Sequence, residues 1–110
     1  MEPINIDTLR DRHGKRDEPY LEFLAEGSMS AGLYRLDPGQ PDPQNPHTED
    51  ELYYITAGRA TLRIEEEYHP VEPGDAVFVE RGVDHKFVDI ETPLETLVIF
   101  APAEGSESRE

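Results

Sequence analysis

The segment 44–58, with the sequence QNPHTEDELYYITAG, places His47 four residues before Glu51. An imidazole nitrogen and a carboxylate oxygen both bind divalent transition metals, so these two side chains could be ligands of one ion. Each ligating atom would lie about 2 to 2.2 Å from the metal, whereas four residues of one extended strand span about 13 Å. The chain must therefore reverse between them, and the polar residues 48–50 are predicted to form that turn.

A third ligand has to come from elsewhere in the chain, which contains no cysteine. The remaining histidines are His13 in a charged N-terminal stretch, His69 beside a predicted hairpin and His85 at the start of a predicted strand. Periodicity alone does not select any of them as a ligand. Histidines in such places are more often surface or structural residues. Glu49 and Asp50 have suitable oxygens, but they fall within the predicted turn, where solvated charges are expected.

Seven short segments have the composition of β-strands, because each is rich in Val, Ile, Leu, Tyr, Phe or Thr. They are residues 20–24, 29–36, 51–57, 60–65, 75–80, 85–90 and 95–101. Turn residues separate most of them, and residues 65–70 are predicted to form a reversal. Short strands at regular spacing predict an all-β sandwich or small barrel.

The parts of the chain outside these strands are mostly polar. One short surface helix is predicted over residues 6–13, with Asp7 as its N-cap. The last residues lack apolar anchors, so they are expected to be disordered. The predicted organisation is an N-terminal segment at 1–19, a β-barrel at 20–101 and a tail at 102–110.

The composition limits the classes of function. A chain of 110 residues fits one domain, and 25 acidic against 10 basic residues give a formal net charge of −15. This charge repels phosphates, so neither nucleic acid nor a membrane surface is an expected partner. No apolar run approaches the roughly 20 residues of a membrane span, and the N-terminus lacks a secretory signal, so a cytoplasmic location is expected. Phosphate-binding loops and nucleophile elbows are also absent.

The basic residues are unevenly chosen, since only Lys15 and Lys86 are lysines and the other eight are arginines. An acidic surface with scarce lysine resembles that of proteins adapted to high internal salt, and an ordinary acidic protein is the alternative. Salt adaptation predicts a fold that becomes more stable as ions screen its self-repulsion.

Two stretches of the sequence resemble the paired motifs of the cupin superfamily. The first motif, G-x5-H-x-H-x3 or x4-E-x6-G, is matched in spacing by Gly39, Asn45, His47, Glu51 and Gly58. The second motif, G-x5-P-x-G-x2-H-x3-N, is matched in spacing by Gly74, Glu80, Gly82, His85 and Asp89. Three residues depart from the motifs: Asn45 replaces the first histidine, and Glu80 and Asp89 replace a proline and an asparagine outside the usual ligand set.

The resemblance implies a small single-domain cupin, an all-β double-stranded β-helix or jelly roll with a short N-terminal helix or coil. Cupins that hold a metal commonly bind it through both histidines and the glutamate of the first motif and the histidine of the second. By position, the implied ligands here are His47, Glu51 and His85. Asn45 stands at the fourth place, where it would bind through its amide oxygen or hold a metal-bound water.

The implied cofactor is one divalent transition metal, and Fe(II), Mn(II), Ni(II) and Zn(II) are all compatible with this ligand set. Such a centre keeps one net positive charge, which favours an anionic or chelating substrate. Strand alternation turns Tyr53 toward the same interior as Glu51, and Phe87 toward the same interior as His85. Tyr53 is the candidate catalytic or pocket residue, and Phe87 is predicted to be part of the core.

The resemblance further implies a metal-dependent enzyme of the dioxygenase, isomerase or lyase type that acts on a small molecule in the barrel. Fold alone does not choose among these reactions. A non-catalytic binding or sensing module is one alternative, and a metal-free cupin is another, because the first histidine is replaced. A homodimer is also implied, since single-domain cupins usually pair through sheet edges or faces.

Overall fold

The computed structural model describes residues 2–15, 17–43 and 47–105 of the chain. Within these ranges one short helix precedes a set of antiparallel strands. The elements are α1 (Ile6–His13), β1 (Tyr20–Ala25), β2 (Ser30–Leu36), β3 (Asp50–Ile64), β4 (Glu67–Val71), β5 (Ala76–Val79) and β6 (His85–Ala101). No helix in the described residues has the length and apolar character that crossing a membrane requires.

The two long strands, β3 and β6, organise the fold. The strands hydrogen-bond in the order β1-β2-β6-β3-β4, and β5 pairs with the first half of β3. The N-terminal half of β3 lies between β5 and the C-terminal half of β6, whereas its C-terminal half lies between β4 and the N-terminal half of β6. The paired strands β3 and β6 form one continuous ribbon, which contributes to both halves of the barrel. The predicted all-β jelly roll is therefore confirmed.

The ribbon bends where β-bulges shift its register, between Ile55 and Thr61 of β3. Gly58 lies in this stretch with a φ of 82°, and a Cβ at this position would collide with the carbonyl of Pro93 on β6. Bulges bend a strand without ending it. The strands predicted separately at 51–57 and 60–65 are therefore one strand, and so are those predicted at 85–90 and 95–101.

Strand β4 occupies residues that were predicted to form a reversal. It pairs with β3 from Glu67 opposite Ile64 to Val71 opposite Ala60, so the actual turn is only two residues long. Glu65 takes a positive φ of 52° in this turn, where Asn or Gly is the usual choice. The first four residues of β4 are exposed, so the strand lacks the apolar alternation by which it could have been predicted.

The core lies between the two halves of the ribbon, because strand alternation turns every second side chain inward. Tyr53 and Ile55 point into it from β3, and Phe87 and Phe100 from β6, which confirms the predicted core position of Phe87. The other members are Tyr34, Leu36, Ala60, Leu62, Val71, Val79, Leu94 and Val98. Burial of a large apolar side chain contributes about 1.5–3 kcal/mol, so this cluster supplies much of the driving force for folding.

Helix α1 is attached to the outside of the barrel. Leu9 is buried beneath it, and Arg10 donates from Nε to Oε1 of the buried Glu95 on β6 at 2.9 Å. The N-cap is Asn5, whose side chain accepts a hydrogen bond from the backbone N of Asp7. The prediction of Asp7 as the cap was therefore wrong by two residues. Asn and Asp are both favourable N-cap residues, so residue type alone did not decide between the two positions.

Candidate metal centre

The barrel brings His47, Glu51 and His85 to one point in its interior. Glu51 is the second residue of β3 and alternates with the outward-facing Leu52, whereas His85 begins β6 in the other half of the ribbon. The carbonyl of His47 accepts a hydrogen bond of 2.7 Å from the backbone N of Gly82. This bond holds the chain before β3 against the turn before β6, so the two motif segments lie side by side.

The ligating atoms of these three side chains lie within 4.8 Å of one another. Nε2 of His85 is 2.9 Å from Oε1 of Glu51, and Nε2 of His47 is 4.0 Å from the same oxygen. A bend at residues 48–49 makes the second distance possible. Because ligands of one such ion stand roughly 3–3.5 Å apart, small side-chain rotations would bring all three atoms to coordinating distance.

His85 presents its Nε2 atom to this point. Its Nδ1 atom is 2.9 Å from the carbonyl oxygen of Val83, which can only accept a hydrogen bond. Nδ1 therefore carries a proton, and in the neutral ring the lone pair is on Nε2, where a metal ligand needs it. The residue is 1% exposed, so packing limits the ring to this orientation.

Glu51 is a buried carboxylate with an unmet need for a partner. It is 1% exposed, and among the described residues neither of its oxygens has a hydrogen-bond partner of acceptable geometry. The 2.9 Å approach of His85 has the distance of a hydrogen bond but not its direction. Burial of an uncompensated carboxylate is costly, so the site fits a cation bound between Glu51 and the two imidazoles.

The pKa of His85 reflects this neighbour. Burial lowers the pKa of the imidazole, but the contact with Glu51 and the hydrogen bond to the Val83 carbonyl together raise it above the ordinary value of 6.5. In the metal-free protein the Glu51 carboxylate therefore favours a proton on Nε2. A metal ion would displace that proton, since a ligating imidazole must be neutral.

Further glutamates surround the three-residue group. Glu49 is 2% exposed and accepts a hydrogen bond from the Thr48 hydroxyl, so the expectation of a solvated charge in the turn was wrong. Glu104 lies at the outer side of His47, with Oε2 3.6 Å from Nδ1. Burial raises the pKa of Glu104, and neighbouring glutamates such as Glu22 raise it further, against the opposing effect of His47. The surroundings of the site are therefore rich in negative charge.

Tyr53 lies beside His85, on the same face of β3 as Glu51. It is fully buried, and its hydroxyl is 3.2 Å from Nε2 of His85. Its ring stands edge-on to Phe87 at a centroid distance of 4.9 Å. The phenol is therefore held with its oxygen at the ligand nitrogen, which is the location expected of a pocket residue.

Tyr20 is a residue that the sequence analysis did not select. Its ring lies across Gly32 of β2, where a Cβ would collide with it. Its hydroxyl is buried and has no hydrogen-bond partner among the described residues. Burial raises the pKa of this phenol well above its usual range, and the charge of Glu104 adds to the effect. Only the alternation of the predicted strand at 20–24 could have indicated that Tyr20 faces inward.

Two predictions concern residues that lie outside the described ranges or at their end. Asn45 lies outside the described residues, so its place at the site stays a prediction. The predicted tail is described only through Gly105, and there the backbone N of Glu104 donates to Oγ of Ser30 at 2.8 Å. The polar sequence after residue 101 carries no signal for a contact with His47, because that contact depends on where β6 ends against β2.

Comparisons with known proteins agree with this fold. An uncharacterized protein from Streptomyces coelicolor is 42% identical over 105 residues, which cover 96% of this chain and 100% of that protein. The crystal structure of TT1209 from Thermus thermophilus is 28% identical with a TM-score of 0.74, over 94% of this chain and 99% of that one. DMSP lyase DddQ from Ruegeria pomeroyi is 25% identical with a TM-score of 0.67, over 76% of this chain and 47% of that one.

A family model described as the cupin domain matches residues 32–100, which is more than half of the chain. The matched region contains His47, Glu51 and His85, together with most of β2, all of β3 to β5 and nearly all of β6. The bent ribbon, the two motif segments and this match lead to the same conclusion: the chain belongs to the cupin domain family.

Proposed function

We propose that this protein is a metal-dependent enzyme that acts on a small molecule bound in the cupin barrel. One observation carries the proposal: within the described part of the chain, the buried Glu51 carboxylate has no well-aligned hydrogen bond. It lies beside two imidazoles, and the ligating atoms of the three side chains are within 4.8 Å of one another. An ionised carboxylate in such a place is destabilising unless a cation compensates it. A divalent ion held by His47, Glu51 and His85 would do so.

The donor set narrows the choice of metal without selecting one. Two imidazoles and one carboxylate are typical of non-haem Fe(II) sites and also of catalytic Zn(II) sites. Mn(II) and Ni(II) accept the same donors. When bound, the ion would act as a Lewis acid toward a substrate at the positions that the protein leaves open. Asn45 is proposed to take one of those positions or to hold a water beside them.

Two tyrosines support a catalytic role. The hydroxyl of Tyr53 is 3.2 Å from Nε2 of His85, so it could orient a substrate bound beside this ligand or exchange a proton with that substrate. Tyr20 on β1 has a buried hydroxyl without a partner among the described residues, and the charge of Glu51 acts on it. Since such a group costs about 1–3 kcal/mol, a substrate acceptor atom would stabilise it.

The charge around the site revises the expected substrate class. The metal with Glu51 alone would favour an anion, but Glu49 and Glu104 add two carboxylates nearby. The charges that shift the pKa values of His85 and Tyr20 also come from carboxylates alone among the described residues. We therefore propose a neutral or cationic small molecule with hydrogen-bond acceptor atoms, rather than an anion.

A metal-free binding module is the second candidate. It is favoured by the His85–Glu51 distance of 2.9 Å, because a protonated imidazole can compensate the carboxylate without a metal. Against it stands the likeness to DMSP lyase DddQ, which is an enzyme, although this chain spans less than half of that protein. The lyase class is therefore one of the reaction types to test first, with dioxygenase and isomerase chemistry beside it.

The outer face of the barrel supports the proposed homodimer. Leu52 and Tyr54 of β3 and Phe78 of β5 are 37%, 45% and 60% exposed. Leu52 pairs directly with Phe78, so these side chains form a continuous apolar patch. Light scattering of the purified protein tests the assembly, and a monomer at micromolar concentration would reject it.

The central experiment is metal analysis of the natively purified protein, followed by thermal-shift measurements with Fe(II), Mn(II), Ni(II) and Zn(II). His47→Ala should abolish metal binding, whereas the matched change His69→Ala at an exposed histidine should leave it unchanged. If less than about 0.1 equivalents of metal are retained and no added ion stabilises the protein, the metal site is wrong. Turnover screening of the loaded protein then separates an enzyme from a sensor.

A further inference from the structure

The two histidines of the centre are held at their outer nitrogens by different kinds of group. His85 has its Nδ1 atom 2.9 Å from a backbone carbonyl, that of Val83. His47 has its Nδ1 atom 3.6 Å from a side-chain oxygen, Oε2 of Glu104. In both rings Nε2 is the atom that approaches Glu51. The outer partner of His47 can therefore be removed by substitution, whereas that of His85 cannot.

Glu104 is fixed by the barrel rather than by the tail alone. Its backbone N donates a hydrogen bond of 2.8 Å to Oγ of Ser30, and Ser30 is fully buried in β2. Ser30 pairs with Phe100, and Phe100 pairs with Glu51 across the same row of the sheet. The Phe100 ring also lies 4.8 Å from that of His47. Glu104 is thus anchored to a row of paired residues on neighbouring strands that also contains Glu51, and from there it contacts His47.

We propose that Glu104 is a positioning residue, which holds the Nδ1 proton of His47 so that the Nε2 lone pair faces the metal. This proposal rests on the proposed metal site. A shift of the 3.6 Å ion-pair contact by roughly half an ångström gives a hydrogen bond of ordinary length. The carboxylate then selects one tautomer of His47 and makes its Nε2 a stronger donor.

Two other features of Glu104, which is an exposed residue, agree with this role. Its side chain is 37% exposed, so it is partly screened by protein although it follows the last strand. It stands among other carboxylates, and His47 is the group that offsets their repulsion. The contact with His47 therefore offsets part of the cost of placing a further carboxylate here.

The test measures metal affinity by competition with a chelator, using Zn(II) as the probe and the full chain. Glu104→Ala should weaken binding by about 10- to 100-fold, the usual effect of losing such a partner. Glu104→Gln keeps an acceptor oxygen and should lose less. Glu22→Gln removes a charge that acts on Glu104 and leaves the Glu104 carboxylate in place, so it should change the affinity by less than about 3-fold. Ser30→Ala should give an intermediate loss, because it removes only the backbone anchor of Glu104.

A second readout separates positioning from general destabilisation. Nitrogen-15 chemical shifts of the His47 ring should report a proton on Nδ1 in the wild-type protein and a mixture of tautomers in Glu104→Ala. Unchanged affinity and an unchanged tautomer in a folded Glu104→Ala variant would overturn the proposal. If the wild-type protein itself binds no Zn(II) while His47→Ala behaves identically, the proposed metal site fails instead.

Discussion

Replacement of Glu51 by glutamine offers the sharpest test of the site, because the substitution keeps the shape and removes the charge. Both oxygens of Glu51 are buried without a well-aligned hydrogen bond to any described residue, and one is 2.9 Å from Nε2 of His85. Above the raised pKa of His85 and without metal, this places a carboxylate beside the lone pair of a neutral ring. The amide of the variant would instead donate a hydrogen bond to Nε2. We therefore expect Glu51→Gln to stabilise the metal-free protein at pH 9.

The magnitude follows from the cost of an unsatisfied buried group. That cost is about 1–3 kcal/mol for a neutral group and larger for a charge. One kcal/mol shifts the melting temperature of a domain near this size by about 4–8 °C. The expected gain at pH 9 is therefore about 4 °C or more. The matched control is Glu49→Gln, which alters a buried glutamate that has a hydroxyl partner and should bring no gain.

The pH dependence of stability tests the direction of this effect a second time. The pKa of His85 is raised in the folded protein, so its charge adds stability that is fully present below the unfolded value of 6.5. That stability is lost as the pH rises through the folded pKa. Glu51→Gln removes the main cause of the raised pKa. The variant should therefore be less stable than the wild type at pH 5.5 and more stable at pH 9.

Differential scanning calorimetry in the presence of EDTA at these two pH values measures both effects. The same scans with added Zn(II) near neutral pH should show stabilisation of the wild type and none of the variant, because a ligand is missing. A variant that melts lower than the wild type at pH 9 would refute the account of Glu51 as an uncompensated carboxylate. Undiminished stabilisation by Zn(II) would refute its role as a ligand.

Three further predictions concern the frame around the site. Gly58→Ala should lower the free energy of unfolding, measured with urea, by about 2–4 kcal/mol, because the new Cβ would collide with the Pro93 carbonyl at a positive φ. The control Gly39→Ala should lower it less, because Gly39 has the same φ of 82° in open space. Glu95→Ala should cost about 2 kcal/mol at pH 7. This loss should shrink below pH 4.5, since burial raises the pKa of Glu95 but its bonds to Thr56 and the arginines lower it overall. Finally, the melting temperature should rise from low to multimolar KCl as screening relieves the net charge of −15.

Each of these predictions has a contradicting result. Equal losses for the two glycine variants would mean that the bend tolerates a side chain. A constant loss for Glu95→Ala from pH 3.5 to pH 7 would mean that its ion pairs add no pH-dependent stability. A melting temperature that does not change with KCl would mean that the acidic surface is not a salt adaptation.

The paired motifs were sufficient to predict the family and the jelly roll. The alternation of Glu51 and Tyr53 correctly indicated which face of β3 is buried, because strand alternation is a local property. The division into seven strands failed at Gly58, where glycine indicates a break. The pairing of β3 with β6 continues through bulges at this point. The sequence of one strand does not show with which residues it pairs. Strand β4 was missed since its exposed residues carry no alternation.

The residue types at the candidate metal centre could be read from the sequence, since motif spacing relates His47, Glu51 and His85. What only the tertiary structure decided is which groups surround them. Glu49 is buried rather than solvated, and Glu104 reaches His47 from beyond the last strand. These outcomes depend on the register of β2 against β6 and on the bend of the ribbon. Both are set by packing between distant segments, whereas local composition describes only the neighbours of a residue along the chain.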